Sequence, residues 1–241
     1  MKTVIITGSS RGIGYAAARY FGLHGWQIVI NSCHDRTALE KAEAALRKEG
    51  ISVLAVPGDI GSPDFWTTLV HKTLQHFGSI DCVINNAAIS HIGLLTDMTD
   101  SEWLSLINTN LNSLFYCSKA VLPTMISKKS GRIINITSVW GETGASCEVA
   151  YSASKGGVIA FTKALAKELA PSHICVNALS LGMFDTPMND CFSDEDKAAI
   201  TEDIPADRMG APEEAARMLF LIAESPEYLT GQVIRLDGGW I

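Results

Sequence analysis

The sequence predicts a doubly wound α/β fold on a parallel sheet of about seven strands, formed by a single domain spanning 1–241. Apolar, β-branched runs alternate with helical stretches almost to the end of the chain. The runs are near-continuous in Val, Ile and Leu rather than alternating with polar residues. Such strands are buried on both faces, which calls for helices on each side of a parallel sheet. Size agrees: 241 residues, 47% of them apolar, can bury one large core, and no Pro/Gly/Ser-rich linker divides them.

Strands are expected at 3–7, 27–31, 52–56, 82–85, 132–137, 175–179 and 233–236. Helices are expected at 14–24, 37–49, 65–77, 102–126, 152–170 and 212–223. The segment 183–210 fits neither pattern: it holds two prolines, several acidic residues and only patchy apolar spacing. A stretch of this kind late in an α/β sheet suits a lid over a substrate.

Composition excludes several classes. Charged residues make up 19% with a net charge of −7, and no basic stripe suits nucleic acid or an anionic membrane surface. No run approaches the ~20 apolar residues of a membrane span, and the apolar stretch from Val4 to Ile6 is too short for a signal peptide. A cytoplasmic chain is expected. The six cysteines, at 33, 82, 117, 147, 175 and 191, form no CxxC pair or zinc-spaced cluster, so no metal is expected. Cys82 and Cys175 sit in apolar runs, where cysteine acts as a small hydrophobe.

The first chemical signal is Gly8-Ser9-Ser10-Arg11-Gly12-Ile13-Gly14, between the first strand and an Ala-rich helix. Three glycines alone also suit a tight βα turn. In this position they let the backbone approach a pyrophosphate whose charge meets the helix N-terminus. A Rossmann-type nucleotide site follows, with Gly8, Ser10, Gly12, Ile13 and Gly14 as its phosphate contacts. An NAD site wants a carboxylate at the end of the second strand. Here that strand ends Ile30-Asn31-Ser32-Cys33, with no acid before Asp35. Arg11, with Ser32, His34 or Arg36, is instead placed to meet a 2′-phosphate, which favours NADP(H) over NAD(H). The alternative for Arg11 is a solvated surface cation.

The second signal is Tyr151-Ser152-Ala153-Ser154-Lys155. Residues at i and i+4 share one helix face. A phenol of reference pKa ~10 is a poor acid or base at neutral pH, and a neighbouring ammonium brings it toward working range. By itself the pair also suits an ordinary helix surface. Ser138 stands thirteen positions upstream, after the fifth expected strand, and Asn110 lies inside the fourth expected helix, where asparagine is a mediocre former.

Taken together, these motifs resemble the short-chain dehydrogenase/reductase family. The resemblance runs from Lys2 to Ile241 and includes Asn85-Asn86-Ala87-Ala88, Asn177-Ala178 and the closing Asp237-Gly238-Gly239. It is strongest toward 3-oxoacyl-carrier-protein reductases. The resemblance implies that Tyr151 exchanges the proton, that Lys155 tunes it and holds the nicotinamide ribose, and that Ser138 binds the substrate oxygen. Asn110 then holds a water in a relay reaching the lysine. Asp59 and Ile60 are implied as adenine contacts, Asn86 and Ala87 as ribose contacts, and Thr186 as a carboxamide contact. Trp140, Glu148 and Phe184 are implied around the substrate, with His91 and Met183 near them.

Two features depart from the family. Leu181-Gly182 stands where Pro-Gly is usual, and Ala88 replaces a glycine. Carrier-protein users tend to be basic at the positions of Lys129 and Ser172, and only the first is basic here. A 3-oxoacyl thioester, with acyl carrier protein as partner, is therefore expected alongside a steroid, sugar or other small alcohol. A dinucleotide sensor without turnover is a further reading, disfavoured because both Tyr151 and Lys155 are present. A homotetramer is expected from the family alone.

Overall fold

The computed structural model describes residues 1–190 and 192–241; Cys191 lies outside the described residues. Seven strands form one sheet: β1 (Thr3–Ile6), β2 (Gln27–Ile30), β3 (Val53–Ala55), β4 (Cys82–Asn85), β5 (Gly131–Ser138), β6 (Ile174–Leu181) and β7 (Val233–Leu236). Their order is β3-β2-β1-β4-β5-β6-β7, and every pairing is parallel. The doubly wound fold expected from the apolar runs is the one observed.

Strand periodicity divides the core in two. Val4, Ile6, Ile28, Ile30 and Ile84 point to one face and meet Phe21 of α1 (Gly12–Leu23), Leu39 and Leu46 of α2 (Arg36–Lys48), and Leu219 of α9 (Pro212–Ala223). Their neighbours Ile5, Val29, Val83, Ile133 and Val176 point the other way. They meet Trp66 and Leu69 of α3 (Pro63–Phe77), Val121 of α5 (Ser113–Lys128) and Ala166 of α7 (Val149–Leu169). Cys82 and Cys117 are fully buried within these layers, and burial pushes the Cys117 thiol up to about 12. They act as small hydrophobes.

Three local differences from the sequence pattern matter. The helix expected across 102–126 is two helices, α4 (Asp100–Ile107) and α5, joined by a π-helical turn over Asn108–Asn112. A one-turn helix, α6 (Trp140–Thr143), follows β5. The 183–210 segment contains a helix, α8 (Asp194–Glu202), started by a Ser193–Asp196 capping box. Its base is pinned where Gly210 N–H donates to Met183 O (2.9 Å) and Asp185 N–H to Gly210 O (2.9 Å). Among the described residues no helix is long and apolar enough to cross a membrane.

In this order the chain reverses direction between β1 and β4, and the crevice at their carboxyl ends is the expected nucleotide site. Trp66 of α3 is the largest fully buried side chain among the described residues, and its indole N–H donates to Ile60 O at 2.8 Å. Trp66→Ala should cost about 3–5 kcal/mol of unfolding free energy in urea titrations; a loss below about 1 kcal/mol would contradict this packing.

Candidate active site

β5 and β6 lie in register from Gly131↔Ile174 to Ser138↔Leu181, so Ser138 ends the longest pairing in the sheet. Beyond it the chain turns through α6, and the Ser138 hydroxyl accepts from Trp140 N–H at 3.2 Å. α7 runs back beside this turn. A Cβ on Gly141 would lie 2.7 Å from the carbonyl carbon of Lys155, so glycine is what lets the turn touch the helix there. The Thr137 hydroxyl donates to Lys155 O at 2.9 Å. Thr137 is therefore engaged in the scaffold, while Ser138 is within hydrogen-bonding reach of the Tyr151 phenol.

Lys155 is buried, with its ammonium donating to Ile136 O at 2.9 Å and lying 5.6 Å from the centre of the Tyr151 ring. Burial lowers the Lys155 ammonium to about 8. Burial, and next the Glu148 carboxyl, push the Tyr151 phenol up, and Ser138 works against them. Glu148 is half-buried at the N-cap of α7, one turn before Tyr151. Burial raises its carboxyl, opposed by a hydrogen bond from the Trp140 side chain. Asn110 is buried in the π-helical turn. Its amide accepts from Ile89 N–H at 2.9 Å and donates to Ile89 O (2.8 Å) and Ser154 Oγ (3.1 Å). The neighbouring Asn108 instead donates to Gly61 O at 3.1 Å, and Asn112 is exposed. Of the three asparagines, Asn110 alone reaches α7. π-Turns occur often at functional sites.

The glycine loop opens α1 as the sequence suggests. Gly8 and Gly12 hold φ of +62° and +56°, and a Cβ on Gly14 would stand 2.4 Å from Gly8 O. Arg11, the N-cap, offers its helix no side-chain acceptor, and the first turn has no acidic residue. The first-turn N–H groups therefore face outward without a protein anion, as a phosphate site requires. A Cβ on Gly12 would meet Thr186 at 3.7 Å and Pro187 at 3.9 Å, which puts the carboxamide candidate beside the loop. Asn86 donates to Thr7 O (2.9 Å) and Gly8 O (3.1 Å), and the Ala87 N–H is held by Thr7 Oγ1 (3.0 Å). These residues fit a dinucleotide.

At the end of β2, Asn31 is buried and donates to Val56 O (3.1 Å) and Gly58 O (3.0 Å), so it is part of the frame. Asp35, the nearest acid, caps α2 through Ala38 N–H at 2.8 Å. Asp59 is exposed and accepts from Gly61 N–H at 2.8 Å; Ile60 is buried. Ser32 is half-buried, and Arg11 is exposed with no ion-pair partner among the described residues. Phe184 is the candidate that the structure sets apart. It is 4% exposed, sits in the α1–α9 core and packs on Gly210. Its ring belongs to the core and also lines a cavity with Met183 and Gly210.

A β-strand frame with these motifs is shared with known proteins. The family model for short chain dehydrogenases matches residues 2–197, and the chain belongs to that family of NAD(P)-dependent oxidoreductases. It is 39% identical over 239 residues to the 3-oxoacyl-[acyl-carrier-protein] reductase of Chlamydia muridarum, covering 99% of this chain and 96% of that protein. It is also 39% identical to the enzyme of the same name from Synechocystis, over 242 residues, covering 100% and 97%. Among solved structures, a putative gluconate dehydrogenase from Agrobacterium tumefaciens superposes with a TM-score of 0.94 at 31% identity, covering 99% and 95%.

The low Lys155 value has a consequence for stability. Between about 8 and the ordinary 10.5 the unfolded chain holds a proton that the folded chain has released, so the native state gains stability as pH rises through that window. The burden is full below about pH 8 and absent above about 10.5. K155M lacks this titration. Its unfolding free energy relative to wild type should therefore fall by about 3 kcal/mol across the window in urea titrations, and a constant difference would show that the ammonium is not desolvated.

Proposed function

We propose that this chain is an NADPH-dependent reductase that converts the ketone of a 3-oxoacyl thioester to a secondary alcohol. The observation that carries the reaction is the cluster of Ser138, Tyr151 and Lys155 at the carboxyl end of β5. Burial keeps the Tyr151 phenol protonated at neutral pH, so it stands loaded as the proton donor. Ser138 donates to the same carbonyl oxygen and orients it. Lys155, cationic at neutral pH, favours the phenolate left behind. Asn110, with one Oδ1 lone pair beyond its bond from Ile89, suits a water that returns the proton. Bound NADPH supplies the hydride to the carbonyl carbon. Run backward, the same groups oxidise an alcohol.

The exposed guanidinium of Arg11, without an ion-pair partner among the described residues, supports the preference for NADPH, since Asp35, the first acid after β2, is engaged in capping α2. An apolar rim supports an acyl chain: Ile92, Leu94 and Val149 are 46%, 58% and 43% exposed, and Gly93 N–H ties the first loop to Cys147 O at 2.8 Å. The pinned 183–210 excursion is the lid in this reading. Exposed Leu104 and Phe115 on α4 and α5 suit the homotetramer expected of the family. Glu148 favours a second reading. A carboxyl beside the tyrosine accepts hydrogen bonds from a hydroxyl-bearing substrate, and the gluconate dehydrogenase likeness brings polyhydroxy compounds forward as a class.

The experiment is loss of reduced-nicotinamide absorbance with acetoacetyl-CoA, NADPH and NADH being compared. NADPH-specific turnover is expected, and reduction of sugars or polyol ketones but not the thioester would transfer the assignment to the second reading. Y151F should lower kcat by about 10²- to 10⁴-fold with NADPH affinity retained; near-normal turnover would sink the mechanism. R11A should raise the KM for NADPH about ten- to hundredfold and leave that for NADH nearly unchanged.

A further inference from the structure

In the reaction above Ser138 works through the direction of one hydroxyl, and the turn beside it is too short to hold itself. A single helical turn is marginal without outside contacts, and α6 has 4 residues. A polar row in the sheet supplies those contacts. Thr137, Ser180 and Arg235 are register partners across β5, β6 and β7, so they point to one face. Each member of the row reaches the scaffold of the site. Thr137 bonds the Lys155 carbonyl. The buried Ser180 hydroxyl donates to Glu142 Oε1 at 2.6 Å. Arg235 forks onto the same carboxylate, at 2.5 Å to Oε2 and 3.4 Å to Oε1. Its remaining nitrogen donates to Ile241 O at 2.6 Å, which fixes the guanidinium from the other side. Glu142 and Arg235 stand 93 residues apart, so no local motif reveals the pair.

The start of the same turn meets Ser138. Trp140 N–H, the first in α6, donates to Ser138 Oγ at 3.2 Å. That bond occupies one lone pair and leaves the hydroxyl proton free for a carbonyl oxygen. We propose that Glu142 and Arg235 are positioning residues for Ser138: their fork, shared with Ser180, fastens α6 to the sheet, and α6 thereby fixes the N–H that aims the Ser138 hydroxyl. The proposal rests on the reading of Ser138 as the group that orients the substrate carbonyl. Stability does not explain the fork. The side chains of Arg235 and Glu142 are 39% and 23% exposed, and ion pairs so open to water add little to folding. What a two-pronged guanidinium–carboxylate pair adds is direction. Glu142 N–H donates to Val139 O (2.9 Å) and Gly144 N–H to Trp140 O (3.0 Å). The carboxylate and the Trp140 N–H thus belong to one hydrogen-bonded turn, and displacing one moves the other.

The test is a mutant cycle between Glu142 and Ser138 in the full chain, read with acetoacetyl-CoA and NADPH. E142A should lower kcat/KM about tenfold, mostly in kcat, as a transition-state contact slightly out of place does. R235A should match it, and E142A/R235A should be worse than either single variant by no more than about twofold. E142Q, whose amide oxygen still accepts from Ser180 and Arg235, should keep most of the activity. NADPH affinity and the urea midpoint should stay close to wild type throughout. In an S138A background E142A should cost no more than about twofold, because the group it positions is gone. The full loss in that background, or E142Q as impaired as E142A, overturns the role of the fork. So does near-normal kcat/KM in E142A, or a loss of NADPH affinity or stability in step with activity, which marks a merely structural pair. Should S138A turn over too slowly to measure, E142Q against E142A decides. Should E142A not fold, R235K, which keeps the charge without the fork, takes its place in the cycle. Near-normal turnover by S138A strikes the reading of Ser138 and this one with it, whereas a slow S138A beside additive losses strikes the fork alone. If the thioester is inert, the first ketone of an aliphatic and cyclic panel that consumes NADPH takes its place, and failure on the whole panel overturns both readings together.

Discussion

The site depends on burying one ammonium. Lys155 lies inside the protein, anchored on Ile136 O, where a charged amine is costly unless something specific holds it. The cost explains how tightly its surroundings are built. Gly141 lets the α6 turn press on the Lys155 backbone, and Thr137 bonds its carbonyl. β5 ends in register with β6, so that Ile136 presents its carbonyl to the amine. Loosening any of these would admit water and return the lysine to its ordinary basicity. In the proposed mechanism, stability is exchanged for a cation held 5.6 Å from the centre of the Tyr151 ring.

Much of this was legible in the sequence, and for a physical reason. Strands buried on both faces must be apolar throughout, so β4 and β7 fall where the apolar runs predict, and the others differ by one or two residues at their ends. The glycine loop was legible because close backbone approach leaves no alternative to glycine. What escaped was set by contacts distant in sequence. The π-helical turn forms where Asn108 and Asn110 bond Gly61 and Ile89, partners that helical periodicity does not report. α6 is a single turn, below the length at which periodicity speaks. Phe184 lines a cavity with Met183 and Gly210 while its ring fills a slot in the core that Gly210 leaves, and a sequence does not show which way one ring turns.

The second strand illustrates how a missing residue becomes informative. Read alone, Asn31-Ser32-Cys33 says only that no carboxylate ends β2. The structure adds why the neighbouring groups do not substitute for it: Asn31 is bonded to the loop that follows β3, and Asp35 is the cap of α2. Arg36, the other cation nearby, leans toward Glu40 at 3.6 Å. Among the described residues Arg11 is left as the cation without an ion-pair partner in the glycine loop, and that freedom supports the proposed NADPH preference beside the absent acid.

The electrostatics of the substrate end then follow from where cations do and do not stand. Among the described residues of the site the only buried cation is Lys155, whose ammonium donates to a backbone carbonyl. Glu148, one helical turn before Tyr151, carries no ion-pair partner among the described residues, and burial raises its carboxyl. A ligand that placed its own carboxylate there would face a like charge with no cation to offset it, a cost that grows as water is excluded. A thioester, a ketone or a hydroxyl meets no such penalty, and a hydroxyl gains an acceptor. Under the function proposed above, Glu148, a single helical turn from the proton donor, disfavours free 3-oxo acids and leaves their neutral thioesters acceptable.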